Sequence, residues 1–407
     1  MTAYVFDIEA NGLQPTEIFC LVAMDTETGK TYEYGPDKIE EGIKLLQKAN
    51  KLIGHNILGY DIPVIKNLTG VDLDDGSINI VDTLVLSRLF NPTREGGHGL
   101  EGWGYRLRHR KIEYDNFEYY TPEMLTYCKQ DVSLNYKVYR HLSRTESVGF
   151  GAQCIKLEHE VYRILNLQRD RGFKLNQQHA MGLLAELNEK ISKAEKRVHK
   201  TFKPRETSIT LVPTLTKAGK VSKMAQVKNE TKKVRLSDEE YEKACKNPDE
   251  HLVRCDSEPF NLGSRKQIGE YLLEFGWKPT KFTPTGQPIV DEKVLSQIKD
   301  IPEAAIIAEY LMLQKRIAQI NSWFKEMQDD GRIRGYVNTI GAVTGRMTHS
   351  SPNMAQIPST SSPYGKECRE CWTVEDNYKL VGIDASGLEL RMLAHYMNDE
   401  GFTYELL

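Results

Sequence analysis

FDIEANGL, running from Phe6 to Leu13, overlaps a run of bulky, β-branched and aromatic residues, AYVFDIEA, that predicts a strand. Asp7 and Glu9 are two residues apart, and on a strand such residues share one face. Two carboxylates on one face, flanked by Val5, Phe6 and Ile8, repel each other and resist leaving water. A divalent cation relieves both problems, and an oxygen-rich donor set suits magnesium or manganese. By itself the pair also fits the polar face of an exposed strand.

Two later segments supply partners. GHNILGYDIPVI places Asp61 just after a predicted strand, with Asn56 and Tyr60 beside it. TYCKQDVSLNY places Asp131 on a predicted helix with Tyr127 four residues earlier, on the same helix face. Together the three segments resemble the exonuclease motifs of the DEDD superfamily of 3′–5′ exonucleases. Thr126 stands where the histidine branch has its histidine, so Tyr127 places the resemblance in the tyrosine branch. The resemblance implies two Mg²⁺ (or Mn²⁺) ions held by Asp7, Glu9, Asp61 and Asp131, with Tyr127 and Glu9 orienting the water that cleaves a phosphodiester.

A second set of motifs lies in the C-terminal part. NTIGAVTGRMTHSSPNMAQIPS, from Asn338 to Ser359, is rich in small, polar and basic residues and has no clear periodicity. KLVGIDASGLELRMLAHYM, from Lys379, reads as a strand that delivers Asp384 into a turn, then a helix beginning at Leu388. With FNLGSRKQIGEYL these segments resemble the start of the polymerase domain of family A DNA polymerases. DTLVLSRL, GLEGWGYRL and YLMLQKRI point to the replicative branch of the T-odd podophages.

The resemblance implies DNA primer–template and single-stranded 3′ ends as ligands. Asp384 would ligate two polymerase-site metal ions, with the carbonyl of Ala385 assisting. Glu389 would be the steric gate against ribonucleotides. Arg346 would contact the minor-groove edge, and His349, Asn353 and Gln356 would be further DNA contacts or, equally, turn residues. The family's fingers helix and its His-Asp-Glu motif C do not follow Asp384 in these residues. The expectation is therefore a split polymerase, completed by a second polypeptide that supplies fingers and the rest of the palm; a stand-alone exonuclease or a fragment of a longer chain are the alternatives.

The 407 residues carry a net charge of −3, 40% hydrophobic residues and no uninterrupted apolar run near 18 residues, which argues against a helical membrane span. The resemblance implies a phage-encoded protein of the bacterial cytoplasm. Seven cysteines without a secretory signal predict free thiols. Cys368 and Cys371 form a lone C-x-x-C pair, short of the four ligands zinc needs. GGHGLEGWG, from Gly96, lacks a P-loop's G-K-[ST] and predicts a flexible surface loop.

The predicted fold is α/β: an RNase H-like exonuclease domain at 1–150, a mainly helical thumb region at 151–335, and a partial palm with motif A at 336–407. Residues 205–258 predict an inserted, partly mobile segment. From Lys193 to Arg235 there are 13 Lys or Arg against 3 Glu, a local net of +10. In the podophage branch an insertion near here recruits host thioredoxin. The composition favours direct attraction to DNA phosphates over that recruitment.

Overall fold

The computed structural model describes residues 2–216 and 218–406. The chain separates into two compact units, one running to Asn176 and including Lys325 onward, the other spanning Gln177–Phe324. The sequence-derived boundaries at 150 and 335 both fall inside the first unit.

The quoted stretch forms the centre of the first unit. Strand β1 (Ala3–Ala10) pairs antiparallel with β2 (Ile18–Asp25), which pairs with β3 (Thr31–Tyr34). On its other side β1 runs parallel to β4 (Lys51–Gly54), which pairs with β5 (Asn79–Asp82), giving the order β3-β2-β1-β4-β5. The helices are α1 (Ile39–Leu46), α2 (Asp61–Thr69), α3 (Thr83–Phe90), α4 (Leu100–Arg106), α5 (Pro122–His141) and α6 (Ala152–Arg171).

Alternation along β1 feeds two cores. Tyr4, Phe6 and Ile8 pack with Ile43 of α1 and Ile62 and Ile65 of α2. Val5, on the opposite face, packs with Met124, Cys128 and Val132 of α5. Asp7 and Glu9 share the parity of Val5, so the strand aims both carboxylates toward α5. Thr121 caps α5 as expected, accepting a hydrogen bond from the Met124 amide at 3.1 Å.

The glycine-rich segment after Gly96 is not a loose loop. Its second half is α4, and Trp103 is fully buried there. The Arg94 and Arg106 guanidinium groups lie 4.3 and 5.0 Å from the indole centre, and its N–H donates to Ser87 Oγ at 3.2 Å. Burial of one large aromatic outweighs the flexibility of its glycines.

α6 ends at Gly172 (φ 66°), after which β6 (Phe173–Leu175) leads into the second unit. That unit begins with α7 (Gln177–Thr201). The inserted segment is folded: β7 (Arg205–Leu215), β8 (Val221–Val227), β9 (Lys233–Arg235), α8 (Asp238–Lys246) and β10 (Leu252–Glu258) build a sheet of order β10-β7-β8-β9. Leu211, Ala225, Val227, Leu236 and Ala244 form its small core. Lysines and threonines on the open face dilute the period-two pattern, which is why the segment reads as irregular. The capping box of Ser237 and Glu240 was the legible signal. The unit closes with α9 (Arg265–Glu274), α10 (Glu292–Leu295) and α11 (Pro302–Glu326).

Back in the first unit, β6 lies between β11 (Arg332–Ile333) and the later β14 (Trp372–Thr373). Before β14 come the antiparallel pair β12 (Tyr336–Asn338) and β13 (Thr348–Ser350) and helix α12 (Gly365–Glu370); α13 (Leu388–Met397) and α14 (Glu400–Leu406) follow it. No helix among the described residues is long and apolar enough to cross a membrane.

Candidate functional site

Three elements, β1, the start of α2 and α5, converge at the C-terminal half of β1. Across the β1–β2 register Asp7 faces Val22 and Glu9 faces Cys20, and the register shifts between Glu9 and Ala10. Such an irregularity re-aims the end of a strand. Asp61 opens α2, and its Oδ1 accepts the amide of Ile8 at 3.1 Å, between the two β1 acids.

The loop that presents Asp61 is tightly held. Asn56 adopts a left-handed conformation (φ 65°), fixed by the Tyr162 hydroxyl, which donates to its Oδ1 at 2.7 Å. Asp82, at the end of β5, accepts the amides of Asn56 and Leu58 at 2.9 and 3.1 Å and caps α3 through the Leu84 amide at 2.9 Å. From α6, His159 Nε2 accepts the Asp82 amide at 2.9 Å and the Asn166 side chain donates to the Leu58 carbonyl at 2.9 Å. α6 thus braces the Asp61 loop, although its sequence places it outside the exonuclease motifs.

α5 contributes the third element. Tyr127 and Asp131 share a face and a partner, Lys111, whose ammonium donates to the Tyr127 hydroxyl at 2.7 Å and lies 2.6 Å from Asp131 Oδ2. Cys128 points beneath β1, with its thiol 3.5 Å from the Asp7 carbonyl and 3.7 Å from Asp7 Oδ2. Among the described residues, the donor atoms of Asp7, Glu9 and Cys128 all lie within 4.8 Å of one another.

The electrostatics are those of an under-neutralised acid cluster. Burial, then the carboxylates of Asp61, Glu9 and Asp131, push Asp7 well above the usual range. Burial, then Asp131 and Asp61, raise Glu9 to about 8. Burial raises Asp61 to about 7 against the pull of the Ile8 amide. Asp131 is raised by burial too, with Lys111 opposing. Its Oδ1 is buried without a hydrogen-bond partner. Four mutually repelling carboxylates and an orphaned carboxylate oxygen fit a hard divalent cation.

Lys111 and Cys128 are the functional-site residues that sequence reasoning missed. Nothing in the polar loop RKIEYDN marks Lys111, whereas Cys128 could have been found from its position on the same helix stripe as Asp131.

The C-terminal residues are placed very differently. Leu380, Val381 and Ile383 are 56%, 77% and 95% exposed, and residues 379–387 form no strand. The expected strand fails because no described strand hydrogen-bonds to it, and its apolar side chains stay more than half exposed. Asp384 and Ala385 are exposed. The helix does begin at Leu388, and it brings Glu389 to Arg346, whose Nη2 donates to Glu389 Oε1 at 2.9 Å. His349 sits on β13 opposite Val337. Asn353 caps a short turn by accepting the Ala355 amide at 3.1 Å, a structural use of that side chain. Gln356 closes the same turn and is exposed.

The family model for DNA polymerase family A matches residues 231–406. A DNA-directed DNA polymerase of Enterobacteria phage T3 is 33% identical over 99% of this chain and 71% of its own length. A DNA-directed DNA polymerase of Escherichia phage T7 is 32% identical with the same coverage. Among solved structures, the POL domain of Pol1 from M. smegmatis, in complex with DNA primer-template and dNTP, superposes with a TM-score of 0.62 at 16% identity. That match covers 98% of this chain and 59% of the other.

Proposed function

The chain belongs to DNA polymerase family A, and on that premise we propose that its N-terminal region is a metal-dependent 3′–5′ exonuclease of the DEDD tyrosine branch, in a phage-type replicative polymerase. One observation carries the reading: three separate elements bring together four buried or partly buried carboxylates, against which, among the described residues, the Lys111 ammonium is the cation that acts. A fold tolerates such a cluster poorly unless something binds there. The strand order β3-β2-β1-β4-β5, with β1 central, supports an RNase H-like domain.

Asp7, Glu9, Asp61 and Asp131 would hold two Mg²⁺ or Mn²⁺ ions. When bound, such ions supply a nucleophilic water at neutral pH and offset charge on the leaving oxygen. The protein does the positioning. Tyr127 and Asp131 are tied to one another and to Lys111, so the hydroxyl is fixed beside the carboxylates. A cleft of about 330 Å³ along the first turns of α2, lined by Leu13, Gln14, Pro15, Tyr60 and Asn67, would give room for a nucleotide of the DNA strand. Leu13 is 92% exposed there and offers an apolar edge to a base. Tyr60 braces the cleft by donating to the Gly12 carbonyl at 2.6 Å. The test is magnesium-dependent digestion of single-stranded DNA. Asp7→Ala with Glu9→Ala is expected to abolish it with the fold intact, and Asp384→Ala to leave it unchanged. Full activity in the double variant would sink the assignment.

The contact between Arg346 and Glu389 favours a second, connected reading, in which residues 346–389 form half of a polymerase site. Asp384 would ligate metal with the Ala385 carbonyl, Glu389 would select deoxynucleotides, and Arg346 would contact the minor groove of primer–template, with His349 and Gln356 nearby. Among the described residues Asp384 belongs to no cluster of three or more metal donors. Nucleotide addition would therefore draw on palm and fingers residues outside these 407, from a second polypeptide in the two-chain reading. Primer extension is expected to be absent with this chain alone and to appear when those residues are supplied in trans. Extension by the chain alone would overturn this half of the proposal.

A further inference from the structure

Lys111 stands out among the residues around the four carboxylates. Among the described residues it is the cation whose charge acts on Asp7, Glu9 and Asp131, and it reaches the site from a loop rather than from the sheet or α5. The loop is fastened to the helix on both sides of Lys111. The Gln130 side chain donates to the Arg110 carbonyl and accepts the Ile112 amide, and Gln130 immediately precedes Asp131. Two residues of the same loop, Tyr114 and Phe117, pack against the Tyr127 ring at centroid distances of 5.4 and 6.2 Å. The ammonium also lies 4.6 Å from the centre of that ring.

These contacts differ from an ordinary surface ion pair. The Lys111 and Asp131 side chains are 22% and 5% exposed. Burial works against the charge of Lys111, but Asp131 and the Tyr127 hydroxyl outweigh it and hold the ammonium above its usual range. Of the two Asp131 oxygens, Oδ2 is taken by Lys111 and Oδ1 is buried and unpartnered. A divalent ion ligated by Asp131 and the ammonium must share one carboxylate.

We propose that Lys111 is an internal counter-cation: it holds Asp131 and Tyr127 in register while the site is free of metal, and it competes with the divalent ion that binds at Asp131. The proposal rests on the exonuclease reading of the tetrad. Because linkage is reciprocal, whatever part of its interaction with Asp131 the ammonium loses when the ion binds is subtracted from metal affinity. Lys111 is a positioning residue here, acting through Asp131 and Tyr127. Its removal should tighten metal binding while loosening the tyrosine.

The experiment is Mn²⁺ titration of the full chain, with free Mn²⁺ read by electron paramagnetic resonance, alongside single-stranded DNA hydrolysis. Lys111→Met is expected to bind Mn²⁺ about ten-fold more tightly and to hydrolyse DNA with a lower kcat. Lys111→Arg is expected to restore both toward wild type. Gln130→Ala, which frees the loop without touching the ammonium, should shift Mn²⁺ affinity the same way by less, and it carries the test if Lys111→Met fails to fold. Unchanged or weaker Mn²⁺ binding in Lys111→Met, with binding lost in Asp7→Ala/Glu9→Ala, overturns the counter-cation role alone. Absence of Mn²⁺ binding in wild type, or its persistence in the double variant, overturns the tetrad reading and this proposal with it.

Discussion

Asp61 and Asp384 are both aspartates at or just before the start of a helix, and both match a metal-binding motif, yet their surroundings are opposite. Asp61 is 3% exposed, bonded to the backbone of β1, and presented by a loop that Asp82, Tyr162 and Asn166 hold from three directions. Asp384 lies in solvent on a segment without strand partners. The difference teaches that a motif specifies ligand chemistry, while the scaffold around it decides whether charge is forced together. Among the described residues it is the first region that holds buried, mutually repelling carboxylates, the condition under which a divalent ion would be favoured.

The largest expected effect tests that scaffold. Trp103 lies behind the site in a core with Leu86 of α3 and Leu134 and Val138 of α5. Trp103→Ala is expected to cost about 3–5 kcal/mol in urea unfolding. Ile383→Ala, in the exposed segment, is expected to change stability by less than about 0.5 kcal/mol. A large loss at Ile383 would show that the second region is packed after all and would erase the contrast.

A smaller effect follows from the carboxyls themselves. Glu9 and Asp61 have folded-state pKa values of about 8 and about 7, above the values near 4 of an unfolded chain. The folded protein therefore keeps protons that the unfolded chain releases. In the metal-free protein, the contribution of these two carboxyls to stability is full below about pH 4 and is lost as pH rises to about 8. Thermal melts in a chelator should show Tm dropping by several degrees over that window, with magnesium flattening the slope. Asp7→Asn with Glu9→Gln should flatten it as well, and Asp384→Asn should not. A slope indifferent to the tetrad would mean that the acids are not under tension.

Much of this contrast was legible in the sequence. Asp7, Glu9, Asp61, Tyr127 and Asp131 were readable because their spacing coincides with strand and helix periods that the fold obeys. Asp82 was readable only as the end of a strand or helix, since its work is to bind the amides of Asn56 and Leu58, a tertiary contact with no local signature. Lys111 was illegible for the same reason. Trp103 was hidden by neighbouring glycines, and the β7–β10 sheet by the lysines of its open face. The motif A segment failed in the opposite direction: Leu380, Val381 and Ile383 have strand propensity, but a strand needs a neighbour to pair with.

The smallest expected effect concerns the side-chain ion pair between two assigned residues of the second region. Arg346 and Glu389 are joined at 2.9 Å, with side chains 70% and 75% exposed. An ion pair so open to water is worth at most about 1 kcal/mol and is screened by salt. A double-mutant cycle with Arg346→Ala and Glu389→Ala should give a coupling no larger than that, vanishing at high ionic strength. A coupling of about 2 kcal/mol or more would break the comparison, because it would require a desolvated pair and hence an ordered second site. A weak pair has a functional consequence as well. In the proposed polymerase half-site, Arg346 would leave Glu389 for a base edge at little cost, which would free Glu389 to act as the gate. In a complex competent for synthesis, Glu389→Ala should relax discrimination against ribonucleotides, whereas in the chain alone the same substitution should change nothing measurable in stability.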